Sequence, residues 1–134
     1  MQDFIVYQKK GKPFTISIEK YEYEGGRFLL YDQLQQVSRE GFLAFDHIAA
    51  ILPANPYKRA SNPFMRDAID FRVYLRNGEQ FEVNADSCDA TDQVTIKFFV
   101  KDRKGEDVEI DGIYVAPLEV VAIMPVDGLI YRSS

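Results

Sequence analysis

Phe71-Arg72-Val73-Tyr74-Leu75-Arg76-Asn77-Gly78-Glu79-Gln80-Phe81 reads as a strand, a tight turn and the start of a second strand. Asn-Gly is the strongest two-residue hairpin signal, because both residues tolerate positive φ and their turn follows the twist of the flanking strands. The stretch has an earlier counterpart. Phe4, Val6, Tyr7, Gly11 and Phe14 stand 67 residues before Phe71, Val73, Tyr74, Gly78 and Phe81. Further along, Ala44, Ala50, Ile51 and Pro53 recur 72 residues later as Ala116, Ala122, Ile123 and Pro125. The extra residues of the second half therefore fall between matched ends. A period this long implies two complete small domains, not the short stacked units of a solenoid.

Period-two alternation runs through both halves. Phe14, Ile16 and Ile18 alternate with Thr15 and Ser17; Phe81, Val83 and Ala85 alternate with Glu82 and Asn84. Val94, Ile96 and Phe98 alternate in the same way with Thr95 and Lys97. Such runs are half-buried strands with one face inward. Turns fall at residues 9–12, 24–27, 76–79 and 102–107. The pattern predicts a mostly β chain of two tandem small barrels, SH3-like in size, with roughly five strands each and edges hidden by curling. The first barrel is expected over residues 1–56 and the second over 57–134. Asn62 suits a helix N-cap and Pro63 the first helical position, which predicts a short helix over 61–69 before the second barrel. A plain linker is the competing reading of that segment.

The chain has 134 residues, 46% of them hydrophobic, the composition of an ordinary globular protein. A domain of about 60 residues buries only about 60% of its chain surface, so each half gains from packing on the other or on further copies. No run approaches the ~18 consecutive apolar residues of a membrane span. Met1-Gln2-Asp3-Phe4 lacks the basic-then-apolar order of a secretory signal. Cys88 is the only cysteine, so no internal disulfide can form and a reducing, cytoplasmic setting is expected. Charge is divided unequally. Residues 1–67 carry 9 Lys and Arg against 8 Asp and Glu, net +1, whereas residues 68–134 carry 7 against 13, net −6. A non-specific nucleic-acid binder is usually basic, because neutralised phosphates supply most of its affinity. Any RNA role here needs local patches or base stacking.

Several segments together resemble the Sm-like superfamily, and within it the Hfq/LSm-like small β-barrels. Asn62-Pro63-Phe64-Met65 is similar to that family's Asp-Pro-Phe-Leu helix start, and Val73-Tyr74-Leu75-Arg76-Asn77-Gly78 to its Ile-Tyr-Leu-Val-Asn-Gly strand and turn. Phe45-Asp46-His47, followed by Ala49-Ala50-Ile51-Leu52-Pro53, is similar to its Tyr-Lys-His strand end and closing strand. The resemblance implies rings built by pairing the fourth strand of one barrel with the fifth of the next; three chains would give six barrels. It also implies single-stranded RNA on two faces. Tyr7 and Gly11, with Tyr74 and Gly78, would lie on the adenine-stacking face, and His47 at the central pore. Departures are present: Asp46 replaces the pore lysine, Pro117-Leu118-Glu119 replaces the pore motif of the second half, and Glu82 replaces a neutral hydrogen-bonding side chain.

Read on their own chemistry, these residues leave alternatives open. Tyr7 and Tyr74 alternate with Val6 and Val73, so valine is expected inside and tyrosine outside. An outward tyrosine can stack a base for about 1–3 kcal/mol, or it can serve β-propensity or an oligomer contact. RNA binding further requires Lys9, Lys10 and Lys12 to meet Lys58 and Arg59 on one face. His47 is the only histidine and has no partners for a metal site, which needs three or four ligands. Asp86, Asp89 and Asp92 read as a solvated acidic loop, lacking the alternating oxygens of an EF-hand. Tyr21, Tyr23 and Phe28 surround the corresponding first-half loop and offer stacking surface there. No phosphate-binding glycine loop or hydrolase motif is present, so neither enzyme activity nor a cofactor is expected. The leading expectation is a ring-forming Sm-like protein binding single-stranded RNA. The alternative is a non-catalytic interaction or structural module, of viral or accessory type, built from tandem SH3-like barrels.

Overall fold

The computed structural model describes residues 2–32, 37–55 and 69–126, with side chains of the fifth strand described from Gly41 onward. The first half contains β1 (Gln2–Gln8), β2 (Phe14–Ile18), β3 (Lys20–Glu24), β4 (Arg27–Tyr31), β5 (Val37–Ala44) and β6 (Ile48–Pro53). The second contains β7 (Ile69–Leu75), β8 (Gln80–Ala85), β9 (Ser87–Asp89), β10 (Lys97–Lys101), β11 (Asp107–Glu109), β12 (Tyr114–Val115) and β13 (Val120–Pro125). Two 3-10 turns, Phe45–His47 and Pro117–Glu119, precede β6 and β13. The expected helix lies outside the described residues except for Ile69, which opens β7.

These strands form four small antiparallel sheets, ordered β12-β6-β1-β2, β3-β4-β5, β13-β7-β8 and β11-β10-β9. They are not two closed five-stranded ladders. The long second strand of each half breaks at a single residue, Glu19 or Asp86, and its two legs join different sheets. Glu19 N–H donates to the Tyr31 carbonyl at 2.9 Å and Asp86 N–H to the Phe99 carbonyl at 2.8 Å.

Strand register repeats as the sequence does. Val6 pairs with Ile51 and Phe4 with Pro53; Val73 pairs with Ile123 and Phe71 with Pro125. Each pairing is interrupted at the same place, beside Ala49 in β6 and Val121 in β13. Lys9 N–H donates to the His47 carbonyl as Arg76 N–H donates to that of Glu119, both at 2.9 Å. Gly11 (φ 107°) and Gly78 (φ 92°) hold matching hairpin positions in a backbone region that side chains rarely adopt.

Two buried clusters hold the sheets together, and each crosses between the halves. One gathers Phe4, Val6, Ile18, Phe28, Leu43, Ile48 and Ile51 with Tyr114 and Ala116 of the second half. The other gathers Phe71, Val73, Leu75, Phe81, Val83, Ala85, Ile96, Phe98 and Val115 with Tyr7, Ala49, Ala50 and Leu52 of the first. Apolar burial is therefore completed by exchange across the junction, as the small size of each half requires. Among the described residues no helix is long and apolar enough to cross a membrane.

Candidate functional site

The junction between the halves is the most elaborately built feature of the molecule. β12 pairs antiparallel with β6, Tyr114 opposite Ile51 and Val115 opposite Ala50. The ladder continues where Ala116 N–H donates to the Ala49 carbonyl at 2.8 Å. On its other side β12 is tied to its own half: Ile96 N–H donates to the Val115 carbonyl at 3.0 Å, and Val115 N–H to Thr95 Oγ1 at 3.1 Å. The Tyr114 ring enters the first half's core, with its centroid 4.8 Å from that of Phe28. Burial, then Glu119 and Tyr23, push its phenol up to about 12. Tyr21 Oη donates to the Gly112 carbonyl at 2.7 Å, and burial raises that phenol well above tyrosine's ordinary range. Gly112 (φ 84°) is needed there, since a Cβ would be strained at that φ and would touch Phe4 and Pro53 at 3.4 Å. At the far end, Asn77 Nδ2 donates to the Gln8 carbonyl at 2.6 Å while its Oδ1 accepts from Glu79 N–H at 2.8 Å.

The structure corrects the reading of Tyr7. It is only 8% exposed, with its ring centroid 5.1 Å from that of Phe81, and burial followed by Glu79 raises its phenol. Strand alternation fails as a guide because β1 is an inner strand whose second face is covered by the other half. Tyr74 remains half-buried on β7, where its hydroxyl and Glu82 hold the Arg72 guanidinium charged. The two tyrosines thus match in register but not in exposure, and they form no shared face for bases.

Lys10, Gly11 and Lys12 are exposed on the β1–β2 hairpin, Lys9 half-buried beside them. The Lys9–His47 backbone bond sets His47 next to this basic turn. Lys58 and Arg59, the other expected members of that patch, lie outside the described residues. His47 and Asp46 are both exposed on the 3-10 turn, not on the strand end that the resemblance implies for them.

Exposed aromatics gather at the same end. Tyr23 is 53% exposed, with its ring centroid 4.7 Å from that of Phe45. The Arg27 guanidinium lies 5.3 Å from the centroid of the exposed Phe42 ring. Tyr23 and Phe28 carried a sequence signal as loop neighbours, whereas Phe42 and Arg27 carried none: their meeting depends on the β4–β5 register, Phe28 opposite Leu43. The corresponding acidic loop of the second half uses its carboxylates as turn acceptors. Asp89 accepts from Thr91 N–H at 2.8 Å and Asp92 from Val94 N–H at 2.7 Å. These bonds, the Thr91 hydroxyl first for Asp89 and the Val94 amide first for Asp92, hold both carboxyls below the usual range.

A cavity of about 330 Å³ opens between the halves, walled by Ile5, Tyr7, Leu52, Phe81 and Ile113. Asn55, the last described residue before Ile69, stands on its rim. Among the described residues no three His, Cys, Asp or Glu side chains are placed to hold a metal ion. Compared with protein-family models, curated proteins and solved structures, the chain matches none.

Proposed function

We propose that the chain is a tandem pair of Sm-like barrels, residues 1–56 and 57–134, that assembles edge to edge into a closed ring and carries single-stranded RNA. In this reading each barrel is a pair of bent sheets sharing one broken strand, and the chain is a non-enzymatic scaffold without a cofactor. The observation that carries it is the β12–β6 pairing. It joins the fourth strand position of one half to the closing strand of the other, with the register and hydrogen bonds described above. Three chains would close six barrels.

RNA belongs, on this proposal, to the aromatic end of the first half. Tyr23 and Phe45 offer ring faces, with Arg27, His47 and Lys10 close in the fold to meet phosphate. Base stacking is worth about 1–3 kcal/mol per base, and an acidic chain with few free cations should show a shallow salt dependence. The test is fluorescence anisotropy of labelled oligo-A and oligo-U at two salt concentrations. Micromolar binding that falls about tenfold in Tyr23→Ala, with assembly intact, is expected. Binding that is undetectable, or that survives this substitution unchanged, overturns the RNA assignment.

A second reading, a non-catalytic interaction module of tandem SH3-like barrels, is favoured by the burial of Tyr7. That burial removes one of the two tyrosines on which stacking by the family's mode depends.

A further inference from the structure

Four asparagines occur in the chain, and the residue after each decides its chemistry. An asparagine side chain is lost when the backbone nitrogen of the next residue attacks its carbonyl carbon. Pro56 and Pro63 follow Asn55 and Asn62, and proline has no N–H to give up. Asn84 precedes Ala85 inside β8, where its Nδ2 donates to Asp70 Oδ1 at 2.7 Å. Only Asn77 precedes a glycine, whose missing side chain leaves its nitrogen open to close approach. We propose that Asn77-Gly78 is a self-modifying site that the junction between the halves protects, and that its conversion to aspartate or isoaspartate weakens that junction irreversibly. In the step, Gly78 N gives up its proton and bonds to Asn77 Cγ; the Cγ–Nδ2 bond breaks and ammonia leaves. Water then opens the cyclic imide at either carbonyl, giving aspartate or, with an added main-chain carbon, isoaspartate. One amide and one water become one acid and one ammonia, with no change of oxidation state.

The folded geometry opposes this attack at three points. Asn77 Nδ2 donates to the Gln8 carbonyl at 2.6 Å and Oδ1 accepts from Glu79 N–H at 2.8 Å, so the amide group is fixed at both ends. Gly78 N–H, which the attack must deprotonate, is donated to the Leu75 carbonyl at 3.1 Å. Burial adds little, because Asn77 is half-buried and Gly78 exposed. Gln8 belongs to the other half, so the Asn77 side chain turns toward Gly78 only when the hairpin leaves Gln8. The product cannot resume the contact. Aspartate still accepts from Glu79 N–H, but it has no N–H for Gln8, and its charge falls where the donor met the carbonyl oxygen. Isoaspartate also lengthens the hairpin that Leu75 N–H closes on the Glu79 carbonyl at 2.9 Å. The first half carries no such site, since Lys10 stands before Gly11 there. Conversion therefore acts on one side of the junction only.

The test ages the full chain at mildly alkaline pH and follows Asn77 by peptide mass mapping. Conversion should be at least about tenfold slower in the folded chain than in denaturing urea. Tyr114→Ala loosens the junction and leaves the hairpin residues in place; it should speed conversion of the folded chain about tenfold. Tyr21→Phe should speed it about fivefold, and serves alone if the alanine variant does not fold. Asn77→Asp reproduces one product. It should speed hydrogen exchange of the Ala116 amide, which bonds across the junction to the Ala49 carbonyl, about fivefold. Aged wild type, separated by its added negative charge, gives the same reading should Asn77→Asp melt early. Equal conversion in folded and unfolded chains, or in folded wild type and the loosened variants, overturns protection by the junction. Unchanged exchange at Ala116 in the converted chain overturns the weakening.

Discussion

β6 and β13 have the same neighbour on one side and opposite circumstances on the other. Each pairs with the first strand of its half, is interrupted at the same residue, and follows a 3-10 turn begun from an extended alanine, Ala44 or Ala116. β6 is buried along almost its whole length, and β13 alternates between half-buried and exposed. The difference arises from β12. Local sequence builds the strand, but pairing at its free edge decides whether its second face becomes core.

The largest effect should come from cutting the covered edge. Tyr114→Ala removes a ring embedded between the halves and should cost about 3–5 kcal/mol, the range for large buried aromatics. Phe42→Ala, at the matching position of β5, should cost under about 1 kcal/mol in the monomer, as exposed substitutions do. Urea denaturation at low protein concentration compares them; equal losses would break the contrast between the edges.

Alkaline pH should act on the same junction. Tyr21 and Tyr114 are held neutral, with folded pKa values above the ordinary 10.0, so above pH 10 the unfolded chain gives up protons that the folded chain keeps. Their contribution is complete below pH 10 and is lost as pH rises through the folded values, about 12 for Tyr114. Tyr114→Phe should flatten the fall in stability between pH 10 and 12; an unaltered slope would show that its phenol does not titrate late. A smaller loss, about 0.5–1.5 kcal/mol, is expected for Tyr21→Phe, which deletes one hydrogen bond across the junction. A neutral outcome would mean the Gly112 carbonyl finds an equal partner.

Cys88 gives the mildest readout. It occupies the repeat position of Tyr21, so it belongs to the second half's version of the junction, and burial followed by Asp89 raises its thiol pKa. Labelling by a thiol reagent near neutral pH should be slow and should slow further, by about twofold or more, as protein concentration rises and chains pair. Rates independent of concentration would place Cys88 away from any contact between chains.

Much of this was legible in the residues. The repeat offsets of 67 and 72 residues matched Val6 with Val73 and Ile51 with Ile123, and the structure pairs Val6 with Ile51 and Val73 with Ile123; Asn77-Gly78 marked its hairpin. Tyr7 was misread because alternation reports one covered face, and nothing within β1 reveals that Phe81 covers the other. Val94 was read as inward but is exposed, since the Asp92 carboxylate caps its amide and turns the chain before β10 begins. The 3-10 geometry of Phe45-Asp46-His47 and the meeting of Arg27 with Phe42 depend on long-range register that periodicity does not encode. The pairing of β12 with β6 joins residues about 60 positions apart, and its two-residue length left no alternating pattern to read.

Hydrogen exchange as a function of protein concentration tests the comparison of the two edges most directly. Backbone amides of β6, paired on both sides within the chain, should exchange slowly at every concentration. Those of β13 that do not bond to β7, and those on the free edge of β5, should exchange fast when dilute and become protected together as concentration rises. Protection of β13 at high dilution, or fast exchange of both free edges at the highest concentration reached, would contradict pairing between chains at these strands.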